Sequence, residues 1–222
     1  MKTYKSTLLL FFGIFVLQFT FAQELPFQEE VNKRAKEIDD AGWEKGSVVF
    51  TGSSSVRMWK NLQEQFPEVP IINSAFGGSK ADQLLLHLDK TVLRFEPSKV
   101  FIYEGDNDIN AGESPEEILE EAAMLRQMIA QQLPGVPVVF ISPKPSVARW
   151  QLKEQYEALN AGLQKLAAET EDTEYADVWA AMLDENGEVY TDIFIEDNLH
   201  MNEKGYAIWR EVLAPYISDR SE

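Results

Sequence analysis

The chain has 222 residues, a formal net charge of −17, 45% hydrophobic residues and no cysteine. Without cysteine there are no disulfides, no thiolate chemistry and no lipid-modified cysteine to tether an exported protein, so stability must come from packing. The acidic balance disfavours nucleic acid and anionic lipid surfaces as partners and suits a neutral substrate, while the scattering of the carboxylates serves solubility in any case.

In the first residues, Lys2 and Lys5 precede an apolar segment that closes on the small-residue site around Ala22 before the chain turns polar. This pattern predicts a secretory signal peptide over residues 1–22 and an exported, periplasmic or extracellular product. The alternative is a membrane anchor, but the apolar core from Leu8 to Ala22 is shorter than the roughly 20 residues that span a bilayer, and Gln18 and Thr20 interrupt it. Cleavage would leave about 200 residues, enough for one domain with a real core, drawn here over residues 23–222.

The segment "PFQEEVNKRAKEIDDAG" has helix-forming residues and a glycine stop at Gly42. Five short apolar runs follow, "SVVFTG", "VPIINS", "KVFIYEG", "VPVVFISP" and "YADVWAAM", separated by segments of helical periodicity. Alternation of this kind predicts a doubly wound α/β fold with a parallel sheet. "SPEE" at Ser114–Glu117 combines an N-cap serine, a proline at the first helical position and a capping-box glutamate. Helices are also predicted over 150–170 and 202–217.

In such a sheet a ligand sits beyond the carboxyl ends of the strands, and polar clusters stand in the loops there. They are Gly52–Ser55, "NSAFGGS" (Asn73–Ser79) and "GDNDIN" (Gly105–Asn110), with a fourth, "EDNLHMN" (Glu196–Asn202), ahead of the last helix. Of the two histidines, His87 lies among leucines and reads as the edge of a packed helix. His200 stands at a loop-to-helix junction, three residues after Asp197 and two before a candidate helix cap, Asn202. A carboxylate so spaced can reach Nδ1, fix the imidazole tautomer and stabilise the imidazolium formed when Nε2 takes a proton. A serine hydroxyl needs such a base to become a nucleophile, and Ser53, Ser54 and Ser55 are the candidates, although one helix cap would also account for them. Gly77, Gly78 and Asn107 offer donors for a developing oxyanion, or else a tight turn and an Asx turn.

The four blocks "GSSS", "NSAFGGS", "GDND" and "DNLH", in order and at strand ends, resemble the SGNH (GDSL) hydrolase family over about 48–217. The resemblance implies a three-layer α/β/α sandwich with a five-stranded parallel, flavodoxin-like sheet, and hydrolysis of esters or thioesters through a serine acyl-enzyme without a cofactor. It also implies Ser54 as nucleophile, His200 as base and Asp197 as its orienting acid. The oxyanion hole would comprise the backbone N–H groups of Ser54 and Gly78 and the side chain of Asn107. Ser53 stands where the family usually has aspartate.

"DNDINAGESPEE" from Asp106 imitates a calcium-binding EF-hand loop, but Ala111 occupies the place that needs glycine and a strand precedes it instead of a helix. Zinc ligands would be hard to assemble without cysteine, so no metal is expected. A small acyl group on a soluble alcohol, such as an acetylated sugar, is favoured by the acidity and the lack of an apolar lid-like insertion. A lipase, lysophospholipase or thioesterase on the same site, and a non-catalytic binding protein on this fold, are the alternatives. Phe76, Trp59 and Trp150 are candidates for a substrate wall or for core packing, and the "SPKPSVARW" loop for the leaving-group side.

Overall fold

The computed structural model describes residues 24–218; the expected signal peptide lies outside them. Helix α1 (Gln28–Ala41) ends where Gly42 adopts φ 79. Strand β1 (Val48–Gly52) leads into the short helices α2 (Ser54–Arg57) and α3 (Leu62–Gln65). Then come β2 (Ile71–Asn73), α4 (Ala81–Thr91), β3 (Lys99–Tyr103), α5 (Asp106–Ala111) and α6 (Pro115–Gln132). The chain closes with β4 (Val138–Ile141), α7 (Lys153–Glu169), β5 (Thr173–Ala176), α8 (Val178–Ala181) and α9 (Glu203–Ser218).

All five strands are parallel, in the order β2-β1-β3-β4-β5. Successive strand residues face opposite layers. Val49, Val100, Ile102, Val138 and Phe140 pack with buried residues of α1, α4, α6 and α7. Val48, Phe50, Phe101, Val139 and Ile141 pack against Val56, Leu62, Val178, Trp209 and their neighbours on the other side. Two apolar faces explain why the strands read as continuous hydrophobic runs, and the architecture is the three-layer α/β/α sandwich expected. Among the described residues no helix is long and apolar enough to cross a membrane.

The capping box forms as its sequence prescribes: the Ser114 hydroxyl accepts from Glu117 N (3.3 Å) while Glu117 Oε2 accepts from Ser114 N (2.9 Å). Asn202 Oδ1 likewise accepts from Lys204 N at the start of α9. The fifth strand differs from expectation. It covers 173–176 and stops before the apolar half of "YADVWAAM", because Asp177 Oδ1 accepts from Ala180 N (3.0 Å) and Ser142 Oγ accepts from Val178 N and Trp179 N, turning that half into α8.

Phe76 and Trp59 prove to be core. Phe76 is fully buried between Phe27 and the equally buried His87, with ring centroids 5.5 and 5.6 Å away, and Trp59 packs on Tyr206 and Trp209. Trp150 is half-buried and stacks on Trp179 at 6.0 Å.

At the end of β1, Gly52 takes φ 119, and a Cβ there would lie 2.1 Å from the Tyr103 carbonyl oxygen of β3. No other residue fits this crossing. Gly52→Ala should lose at least about 1–3 kcal/mol through backbone strain alone, with the clash added, which urea titration of the folded protein would read.

Candidate active site

The order of the strands reverses between β1 and β3, so the loops after β1, β2 and β3 converge at one edge of the sheet. The three serines after β1 separate there. Ser53 is buried, donates its N–H to Tyr103 O (3.1 Å) and makes no side-chain cap. Ser55 is buried as well, and its carbonyl accepts from Tyr206 OH at 2.9 Å. Ser54 is half-buried, and its Oγ lies 2.9 Å from His200 Nε2.

His200 is held by its own loop. Its Nδ1 lies 2.6 Å from Asp197 Oδ2, and Asp197 Oδ1 accepts from the backbone N–H groups of Leu199 and His200, each at 2.9 Å. Asn198 between them takes φ 57, a conformation asparagine tolerates. Partial burial opposes the Asp197 charge, but the bonds from the His200 ring and the two N–H groups bring its carboxyl down to about 2. An ionised Asp197 can only accept, so Nδ1 carries the ring proton and Nε2 accepts from the Ser54 hydroxyl. The sequence-predicted Ser54, His200 and Asp197 thus form one directed chain of hydrogen bonds.

The loop after β2 supplies Gly78, exposed and at φ 71, and the N–H groups of Ser54 and Gly78 donate to no acceptor among the described residues. Asn107 is half-buried, and its Nδ2 donates one proton to Ser79 O (2.9 Å), leaving the second free. Asp108 Oδ1 accepts from Ala81 N (2.8 Å), so two successive residues of α5 tie it to the loop carrying Gly78. The Ser79 hydroxyl donates to the buried Glu104 at 2.6 Å. Burial first, then the nearby Asp108 charge, pushes the Glu104 carboxyl well up.

Sequence reasoning missed the group beneath these loops. Asp106 is buried; its Oδ1 accepts from Arg149 Nη1 and Tyr156 OH, both at 2.5 Å, and its Oδ2 from Tyr103 OH at 2.8 Å, with Lys144 Nζ at 3.5 Å. Burial alone would push its carboxyl up, but the Lys144 and Arg149 charges and the two phenols hold it well below the carboxylate range. Arg149 Nη2 also donates to Asn107 Oδ1 at 3.1 Å, and Ala148 N to Asn198 O at 3.1 Å. The "SPKPSVARW" loop, expected to line the leaving-group side, is therefore buried from Ser142 to Ser146 and braces the site from within. A lysine between two prolines beside a strand end was the available signal.

The EF-hand imitation is dismantled by the same bonds. Asp106 is saturated and Ser114 and Glu117 cap each other. Among the described residues, Asp108, Glu113 and Glu121 do bring carboxylates within 4.8 Å of one another, but the Lys80 ammonium already pairs with Glu113.

Residues 41–208 match the GDSL-like Lipase/Acylhydrolase family. No curated protein matches the chain. Among solved structures, a protein assigned as a platelet activating factor from Streptococcus pneumonia superposes with a TM-score of 0.76 at 23% identity, over 86% of this chain and 92% of that one. A GDSL-like lipase from Bacteroides thetaiotaomicron gives 0.72 at 19% identity, over 84% and 96%. An acetylxylan esterase from Geobacillus stearothermophilus gives 0.64 at 14% identity, over 80% and 96%. At these identities the likeness concerns the fold.

Replacing Asp106 with asparagine keeps its shape but strands the Lys144 and Arg149 charges inside the protein. Asp106→Asn should cost about 3–5 kcal/mol, seen as a lower denaturation midpoint. Because the folded carboxyl is depressed from its ordinary 3.8, its stabilisation is fully present above about pH 4 and is lost progressively as pH falls from there through the lower folded value. The variant should flatten this acid limb of the stability profile.

Proposed function

This chain belongs to the GDSL-like lipase/acylhydrolase family of ester-hydrolysing enzymes, and we propose that it is an exported serine esterase that removes small acyl groups, acetyl above all, from carbohydrates. The observation that carries the reading is the chain of bonds from Asp197 through His200 to Ser54 Oγ, with unpaired donors on the adjacent loops.

In this reading His200 Nε2 takes the Ser54 proton as Oγ attacks the ester carbonyl. The tetrahedral oxyanion forms against the N–H groups of Ser54 and Gly78 and the free Asn107 Nδ2 proton, donors fixed in advance. Collapse breaks the bond to the alcohol, which leaves with the proton from His200. Water then gives a proton to His200 and its oxygen to the acyl carbon; the acid departs and Ser54 recovers its proton. Asp197 stays ionised throughout, and its depressed pKa suits that role.

The acetyl-carbohydrate preference draws on the acidity of the chain, which suits a neutral polar substrate over an anionic lipid surface, and on the acetylxylan esterase among proteins of like fold. Export rests on the N-terminal sequence alone.

Ser54→Ala should abolish turnover of p-nitrophenyl acetate with the melting temperature unchanged, and Asn107→Ala should lower kcat by roughly 10²- to 10³-fold. Turnover by Ser54→Ala at the wild-type rate would sink the assignment. A series of p-nitrophenyl esters of increasing chain length, with acetylated saccharides beside it, tests the substrate. Preference for acetate is expected; preference for long chains would point to a lipase, and inertness throughout to a binding protein.

A further inference from the structure

The loop bearing Gly78 is anchored from a direction the four sequence blocks do not include. Glu30, on the first turn of α1, reaches across with Oε1 to accept the backbone N–H of Gly77 at 2.8 Å. One turn later, Arg34 donates through Nε (2.9 Å) and Nη2 (2.6 Å) to the carbonyl of Asn73, at the start of the same loop. Between these anchors Phe76 packs on Phe27 and His87, and His87 Nε2 lies 2.6 Å from Pro26 O. The helix and the two residues just before it thus hold the loop at Asn73, Phe76 and Gly77. The matched family region begins at residue 41, where α1 ends, so this brace comes from outside it.

The N–H of Gly77 lies on the peptide plane immediately before the one that carries the N–H of Gly78, so once Glu30 holds the first plane only the φ and ψ of Gly77 separate the anchor from that donor. Gly77 has no side chain with which to pack, and the Arg57 guanidinium crowds the place where a Cβ would stand, its Nε 3.0 Å from that point. A polar cleft of about 210 Å³, lined by Glu30, Arg34, Arg57 and Ala75, lies behind the loop and gives it room to move if the anchor is lost.

We propose that Glu30 is a positioning residue for catalysis: by holding the Gly77 N–H it sets the direction in which the Gly78 N–H meets the oxyanion. The proposal rests on the serine-esterase reading above. The needed property of Glu30 is a hydrogen-bond acceptor at the right reach and not its charge. Its pairing with Arg57, at 3.6 Å and with both side chains more than a third exposed, is a weak one.

The test measures kcat, KM, melting temperature and inhibition by a boronic acid, which forms a tetrahedral adduct on the serine and so reads the oxyanion hole directly. Glu30→Ala should lower kcat at least about 10-fold, because small displacements of an oriented donor are costly. KM should stay within about twofold, since ground-state binding is untouched. The boronate inhibition constant should rise with the loss of kcat. Glu30→Gln, whose amide oxygen still accepts, should recover most of kcat, whereas Glu30→Asp, one methylene short, should not. If Glu30→Ala fails to fold, the Gln and Asp pair decides alone.

Wild-type kcat in Glu30→Ala, a Gln variant as impaired as the Asp one, or kcat losses with unchanged boronate binding would each overturn the positioning role. Wild-type protein without Ser54-dependent turnover would overturn the esterase reading, and this role with it. Ser54→Ala, run in parallel, separates the two failures.

Discussion

A single buried carboxylate organises the end of the sheet where the candidate active site lies. Asp106 sits at the first position of α5, just past β3, and would be intolerable there as a lone charge. Two cations and two phenols from three different places in the chain converge on it: Lys144 and Arg149 from the loop after β4, Tyr103 from β3 itself, and Tyr156 from α7. Each partner is thereby fixed, and some make second contacts that reach the site. Arg149 turns from Asp106 to the amide oxygen of Asn107, and its loop neighbour Ala148 bonds the carbonyl of Asn198 beside the histidine. The oxyanion candidate and the histidine loop are registered against one internal charge.

From that hub outward, the site is assembled by ties between loops, since each loop is too short to hold its own shape. Asn107 and Asp108 bind the loop after β2, and Ser79 binds Glu104 at the end of β3. The Ser55 carbonyl accepts from Tyr206 OH of α9, and Tyr103 serves Asp106. Of three neighbouring hydroxyls, the sheet therefore absorbs two into its interior and presents one. Gly52 brings β1 close against β3, Ser53 continues that pairing by donating to Tyr103 O, and the helix that starts at Ser54 buries Ser55 and leaves Ser54 partly open.

The sequence made the alternating strands and helices, the capping box at Ser114 and the D-x-x-H turn legible because each is a local pattern with a local physical cause. Ser54 was selected among its neighbours only by family resemblance, since one-dimensional spacing cannot tell which hydroxyl faces His200. What stayed hidden was mostly long-range. Lys144 and Arg149 meet Asp106 across about forty residues, and Glu30 meets Gly77 across 47. No periodicity marks such pairs. The aromatic residues stayed open between two readings for the same reason, because Phe76 and Trp59 near strand ends have the composition of a binding wall and only the structure shows the burial of a core. The early end of β5 reflects Asp177, whose side chain satisfies a helix start that the apolar run concealed.

His200 and Ser54 are separated by 146 positions, and the intervening span contains four of the five strands. Ser54 emerges from synthesis early, beside a strand whose neighbours on both sides are still to come, while His200 comes only after the sheet is complete. Their meeting is held in place by α9, where Tyr206 bonds the Ser55 carbonyl and packs with Trp209 around Trp59. Contacts this distant in sequence form late in folding. In the reading proposed above, the pairing of serine and histidine therefore requires the sheet that lies between them in sequence, so the hydrolytic site is a property of the completed domain and of no shorter piece of it.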